Sequence, residues 1–330
     1  MVGDRSTVTA FRRAAPELAS GALATIDPDE RSAGSKASLE LESNHIVRFA
    51  RSPVPLPDAA TLEYLRAELP TRLTLKNVSY HADSARLSGL EAADVLLRER
   101  TRAVLQEHLD GVTDFLYRLL PHWRGTLRRS KCSFRPIQER GRNLKPHASN
   151  ELVHVDAGAY GATNGDRIFR FFVNVNVSED RVWASKGSLQ DVLERHGRAA
   201  GLLDESGRLR MRIDKRLADR AFSLAIGALT RLDPLAGALD STPYDRTMRR
   251  LHNYMKDSDS FKRDMRGYQE IRFPPYSAWM VFTDGVSHAS LSGQFALVTT
   301  LIVPRSALQY PQFSPYALLA ARAAHSPRRA

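Results

Sequence analysis

The sequence predicts an α+β fold with a β core. Three patterns carry that prediction. Leu105, Leu109, Val112, Leu116 and Leu119 recur at spacings of four and three, which draws one apolar stripe along a helix at about 92–120. Residues 168–177 alternate with period two, as a strand does. Further strand-like runs lie on both sides of an Arg-rich stretch, about 188–268, that reads as a helical insertion. Strands, a helical excursion and strands again describe a sheet-based chain.

Residues 1–38 read as a loose tail, interrupted by Pro28 and Asp29 and small and polar over 32–38. A short strand at 46–50 is closed by Pro53, Pro55 and Pro57. Asp58 can cap a helix over 58–69 that Pro70 stops. The long helix ends at Pro121. Strands are then expected at 131–136 and 152–155. In 168–177, Phe169, Phe171, Val173, Val175 and Val177 share one face, and Ile168, Arg170, Phe172, Asn174 and Asn176 share the other. An Arg and two Asn among apolar residues suit the lining of a polar cavity inside a barrel. The insertion carries Arg208, Arg210, Arg212, Arg216 and Arg220; strands return at 269–273, 278–283 and 295–303.

With 330 residues, 42% apolar and 26% charged, the composition excludes wholesale disorder, a collagen-like fibre and a coiled coil. Lys and Arg total 48 against 37 Asp and Glu, a net charge of +11. That balance favours an anionic partner: nucleic acid, an acidic membrane face or a phosphorylated substrate. The one cysteine, Cys132, allows no intramolecular disulfide and no cysteine-built zinc site. Residues 1–20 contain Arg12 and Arg13 but no apolar stretch of signal-peptide type. No run approaches the length of a membrane span. The expectation is a cytoplasmic protein that touches a membrane only peripherally.

Ten histidines are available as ligands or bases. His-x-Asp followed by a distant His supplies the facial triad of some iron enzymes, which leaves coordination positions open. By composition about half a match is expected by chance, so the pattern alone decides nothing. Three occur: His81/Asp83, His108/Asp110 and His154/Asp156. His108 and Asp110 fall in the long helix, where residues two apart point in nearly opposite directions. His81 and Asp83 read as a surface turn. His154 and Asp156 follow a strand-like run, and residues two apart on a strand share a face. Gly158 then lets the chain turn away. His288, between the last strands, is the favoured third ligand. His252 competes, but sits among Arg249, Arg250, Asn253 and Lys256 on a helix; His196 and His325 read as exposed. An enzyme using 2-oxoglutarate also needs a cation for the distal carboxylate, and residues 289–304 hold no Lys or Arg. Arg170 is the natural candidate, beside Asn174 on its strand face, and Arg135 is second; guanidinium meets a carboxylate with two parallel hydrogen bonds.

The stretches SFRP, LVHVDA, NGDRIFRFFVNVN, RVW, YDRTMRRLHNYMK and FPPYSAWMVFTDGVSHASLSGQFAL, with LES preceding PVPL, resemble the Kdo hydroxylases across about 40–320. The chain departs from that pattern at 143–151 and 298–304. The resemblance implies an Fe(II)- and 2-oxoglutarate-dependent oxygenase domain over 39–320, a double-stranded β-helix (jelly roll) with N-terminal helices, and a short tail at 321–330. It implies His154, Asp156 and His288 as iron ligands, and Arg135, Arg170, Arg181 and Trp183 as active-site residues. Within that set, Arg170 is expected at 2-oxoglutarate with Arg135 and Asn174 near it. Arg135, Arg181 and Trp183 are expected nearer the sugar. The implied reaction consumes oxygen and 2-oxoglutarate and hydroxylates C3 of Kdo in a lipid A precursor, giving Ko, succinate and carbon dioxide. Lipid A phosphates and an anionic inner-membrane surface would then account for the basic balance. Other readings stay open: the same iron site acting on another sugar, a small acid or a protein side chain; a hydrolytic zinc site; or a non-catalytic basic binding module. No nucleic-acid motif is recognisable, so no nucleic-acid partner is expected.

Overall fold

The computed structural model describes residues 23–91, 93–142, 144–158, 162–215, 219 and 241–324. Eleven strands and seven α-helices are assigned among them. An eight-stranded sheet has the order β1-β2-β9-β6-β11-β5-β3-β4 and a three-stranded sheet the order β10-β7-β8. In chain order the large sheet contains β1 (Leu23–Thr25), β2 (Ile46–Phe49), β3 (Val78–His81), β4 (Arg86–Ser88), β5 (Arg128–Arg135), β6 (Arg167–Asn174), β9 (Ala278–Phe282) and β11 (Ala296–Val303). The small sheet contains β7 (Arg181–Ser185), β8 (Gln269–Phe273) and β10 (Ala289–Ser292). All pairings are antiparallel except β1 with β2.

The alternation of β6 explains the layering. Phe169, Phe171 and Val173 point into a core shared with α1 (Ala33–Glu42), α2 (Ala59–Arg72) and α3 (Val95–Leu119), where the stripe of Leu105, Leu109, Val112, Leu116 and Leu119 is buried. Phe172 points the other way, into a core between the two sheets with Trp183, Phe273, Trp279, Val281 and Val298. Phe273 and Trp279 stack there at 3.8 Å, and Phe172 stacks on Trp279 at 5.0 Å. Two facing, mainly antiparallel sheets around that core form the jelly roll. A third core joins α4 (Leu189–His196), α5 (Pro243–Asp257), α6 (Asp259–Arg263) and α7 (Pro315–Ala324). No helix among the described residues is long and apolar enough to cross a membrane.

Several expectations change. Residues 23–38, read as tail, form β1 and the first half of α1, because Ala33, Ala37 and Leu41 bury a narrow small-residue face. Pro70 lies inside α2, which runs on to Arg72. One proline in the last turn forfeits one backbone bond without ending the helix. The strand expected at 152–155 contracts to a single bridge at His154. β6 stops at Asn174, and Val177 is exposed. Within the insertion, 201–214 is turn-rich, and the helices named among the described residues are α4, α5 and α6. Arg216, Arg220 and His325 lie outside the described residues, and α7 reaches into the expected C-terminal tail.

Candidate active site

His154 and His288 are brought face to face by backbone pairing. Each donates its N–H to the other's carbonyl, at 3.0 and 2.8 Å, so His154 extends the small sheet beyond β10. Asp156 N–H donates to Thr283 O at 2.8 Å, which fixes the third member. One potential ligand atom from each of the three lies within 4.8 Å of the others. No other such group of His, Cys, Asp and Glu occurs among the described residues.

The tautomers follow from the hydrogen bonds. His154 Nδ1 is 2.7 Å from Leu152 O, and His288 Nδ1 is 3.0 Å from Val286 O. A carbonyl only accepts, so each Nδ1 carries the proton and each Nε2 presents a lone pair. Burial, reinforced by His154, pushes His288 down to about 3. Burial alone would raise Asp156, but the neighbouring Arg170 guanidinium holds it well below the usual carboxylate range. A neutral His288 and an ionised Asp156 are protonation states a divalent metal requires. Asp156 Oδ2 lies 2.8 Å from Arg170 Nη2, yet off the line of its N–H bonds, and accepts no hydrogen bond. Such a buried oxygen, ion-paired but not hydrogen-bonded, fits a ligand to an ion.

The triad opens into a cavity of about 440 Å³. Its sheet wall is set by register. Lys131, Thr300 and Arg170 form one lateral row across β5, β11 and β6; Ser133, Val298 and Phe172 form the next. Paired residues point to the same face, so these six look into the cavity together. The opposite side is α5, which contributes Arg249, His252, Asn253 and Lys256. His252 packs edge-on against His154, ring centroids 5.1 Å apart, and its Nδ1 donates to Val155 O at 2.7 Å. Trp183 stacks on His288 at 5.2 Å. Six bases line the space (Lys76, Lys131, Arg135, Arg170, Arg249, Lys256) against one carboxylate, Asp156. Burial and neighbouring Arg170 push Lys131 down to about 8, and burial pushes Arg135 down to about 10. Nε of Arg135, Nε of Arg170 and Nε1 of Trp183 are buried without a hydrogen-bond partner. That is donor capacity awaiting an anionic ligand.

Two expected residues lie behind the wall. Arg181 is fully buried and bonds Glu139 at 3.0 Å, Ser290 Oγ at 3.0 Å and Gly293 O at 3.3 Å. Asn174 spends its amide on Glu179 O and Phe273 O and does not line the cavity. His196, expected exposed, is buried and meets Asp264 at 2.8 Å. His81 ends β3 beside Ser88, with Asp83 in the following turn. His108 is buried in α3. Lys131 and Thr300 escaped the sequence reading, because only strand register brings them to the triad. His252, weighed as a competing third ligand, instead packs against His154 from α5 with Arg249, Asn253 and Lys256 beside it. A larger groove of about 1130 Å³ beside α1 and the end of α3 holds no metal-ligating cluster among the described residues.

Residues 26–326 match the family of 3-deoxy-D-manno-oct-2-ulosonic acid (Kdo) hydroxylases. The chain belongs to the Kdo hydroxylase family. No curated protein sequence matches it. Solved structures of the Kdo hydroxylase KdoO, a non-heme Fe(II) alpha-ketoglutarate-dependent dioxygenase, are similar. The apo form and the complex with alpha-ketoglutarate and Fe(III) each have TM-score 0.73 and 27% identity, covering 91% of this chain and 95% of theirs. The complex with succinate and Fe(III) has TM-score 0.72 and 27% identity. A Kdo hydroxylase must accommodate a sugar acid, and the cavity's six bases suit one.

Proposed function

We propose that this protein uses Fe(II), 2-oxoglutarate and oxygen to hydroxylate C3 of a Kdo sugar carried on a lipid A precursor, giving Ko. The carrying observation is the triad of His154, Asp156 and His288 opening into a cavity whose charge is almost wholly basic. These three residues would hold the iron through two Nε2 lone pairs and the Asp156 carboxylate. Bound there, iron would supply the oxygen chemistry that converts 2-oxoglutarate to succinate and carbon dioxide and delivers one oxygen atom to the sugar.

The chain's own residues do the positioning. Lys131 and Arg170, one row deep on the sheet, offer charge-assisted hydrogen bonds to the carboxylates of 2-oxoglutarate, and Thr300 between them adds a hydroxyl. Arg135, two residues along β5 from Ser133, stands one row apart and faces the sugar. Arg181 acts through Glu139, whose carboxylate lies 3.6 Å from Arg135 Nη1. The stacked Trp183 holds His288 in plane and keeps water from that side. Outside the cavity, a net charge of +11 favours peripheral attraction to anionic lipid.

The test is succinate release by Fe(II)-loaded protein given 2-oxoglutarate, oxygen and a Kdo-bearing lipid A precursor. Wild type should release succinate, and Asp156→Ala and His288→Ala should lose bound iron and at least a hundredfold of turnover (roughly, from the cost of removing a ligand when outer-shell changes already cost 10–100-fold). Full turnover by both variants would refute the assignment.

A further inference from the structure

α5 is amphipathic in an instructive way. Tyr244, Met248, Leu251 and Met255 pack into the third core. A neighbouring stripe at i, i+3, i+4 and i+7, namely Arg249, His252, Asn253 and Lys256, faces the cavity. An ordinary solvated helix face would turn its charges outward. This one points them at the triad, and His252 touches His154.

The four residues are not equivalent. Lys256 is buried and donates to His147 O at 3.1 Å and Ser149 O at 2.9 Å, which ties the loop before His154 down onto the helix. Arg249 is exposed at the rim, with one long bond of 3.3 Å to Gly158 O. Asn253 is half-buried. His252 has committed only Nδ1, to Val155 O, which leaves Nε2 as an acceptor. From rim inward the helix therefore offers a guanidinium, an amide and an imidazole acceptor.

Position separates this wall from the other: Lys131, Thr300 and Arg170 sit on the central strands of the large sheet, while Arg249 of α5 is exposed at the rim. A sugar attached to a larger carrier must come through the mouth, and there it meets α5 first. Resting on the function proposed above, we infer that the cavity-facing side of α5 is the acceptor subsite. Arg249 pairs with the carboxylate of the sugar acid, and Asn253 and His252 bond its hydroxyls. α5 then selects the acceptor, while the sheet row holds the cosubstrate.

Calorimetric titration of free Kdo into the anaerobic protein, with Fe(II) and 2-oxoglutarate present, tests the assignment. Arg249→Gln combined with Asn253→Ala should weaken Kdo binding by about tenfold or more, as loss of a charged hydrogen bond does. The dissociation constant for 2-oxoglutarate, measured on the same samples, should stay within about twofold. Arg246→Gln removes the same charge from α5 outside the cavity and should change neither value. Asn253→Ala alone, the milder variant, should show an intermediate loss. Kdo binding equal in wild type and double variant would overturn the α5 assignment and leave the proposed function standing. Absence of Kdo binding by wild type that still binds 2-oxoglutarate would overturn both.

Discussion

His108 shows how a single residue can set a pH dependence without taking part in chemistry. It is buried in α3, and neither ring nitrogen has a hydrogen-bond partner among the described residues. Burial pushes it down to about 4. The folded protein keeps it neutral, while the unfolded chain takes up a proton below about 6.5. Stability contributed by the neutral state is present above that value and is lost as pH falls toward 4. His108→Leu should therefore raise stability, with the gain growing to about 1–3 kcal/mol near pH 4. Thermal melts of both proteins at pH 7 and pH 5 check this; a difference that shrinks on acidification would contradict it. The same residue illustrates what sequence can decide. Its helical spacing from Asp110 ruled out a shared ion, and Asp110 indeed turns outward to Arg129.

Among elements, the buried carboxylate of Glu139 holds four pieces of the site together. It meets Arg181 from β7 at 3.0 Å, Arg135 at the end of β5 and Arg142 each at 3.6 Å, and it accepts from Asn150 at 3.3 Å. Through Arg181 it also reaches Ser290 on β10, two residues from His288. Burial would raise its pKa, but the arginines overcome that and lower it. Removing the charge leaves buried Arg181 without a counter-ion. Glu139→Gln should cost about 3–5 kcal/mol in denaturant unfolding. It should also raise the acceptor KM more than that for 2-oxoglutarate, because Arg135 loses its support. An unchanged unfolding midpoint would show that the cluster is not structural.

Element by element, legibility in the sequence followed length and one-sided burial. α3, β5, β6, β8, β9 and β11 could be read because a stripe, an alternation or an apolar run persists over five or more residues. β7 could not: it is buried at every position like β9, but Arg181 and Ser185 at its ends break the apolar run that marks β9. β3, β4 and β10 are three or four residues long. For α1, Gly, Ser and Ala hide the helix, and only packing stabilises it. The pairing of His154 with Asp156 was legible because they follow a strand-like run, where residues two apart share a face; the spacing itself, which occurs three times, did not single them out. Lys131 and Thr300 were not, because their meeting depends on the β5–β11 register. Nor did the sequence distinguish Arg135, at the cavity, from Arg181 behind it; both are arginines on strands, and only burial separates them.

At the scale of the whole molecule, the excess of 48 basic over 37 acidic residues predicts association with anionic membranes through charge alone. Co-sedimentation with vesicles rich in acidic lipid should occur at low salt and vanish by roughly 0.5 M, where screening shortens the Debye length to a few ångströms. Binding to neutral vesicles, or binding that survives high salt, would point to an apolar contact instead. The two-sheet core, the triad of His154, Asp156 and His288 and the basic cavity beside it form one argument about the proposed function: a candidate metal triad, a sheet wall proposed for a small dianion and a helix wall proposed for the sugar. That argument is tested most directly by the mass of the acceptor. Kdo-lipid A incubated with Fe(II), 2-oxoglutarate and isotopically heavy oxygen gas should gain one labelled oxygen atom at C3, in step with succinate, and His288→Ala should abolish both. Succinate released without any oxygen entering the sugar would contradict the assignment of Kdo as the acceptor.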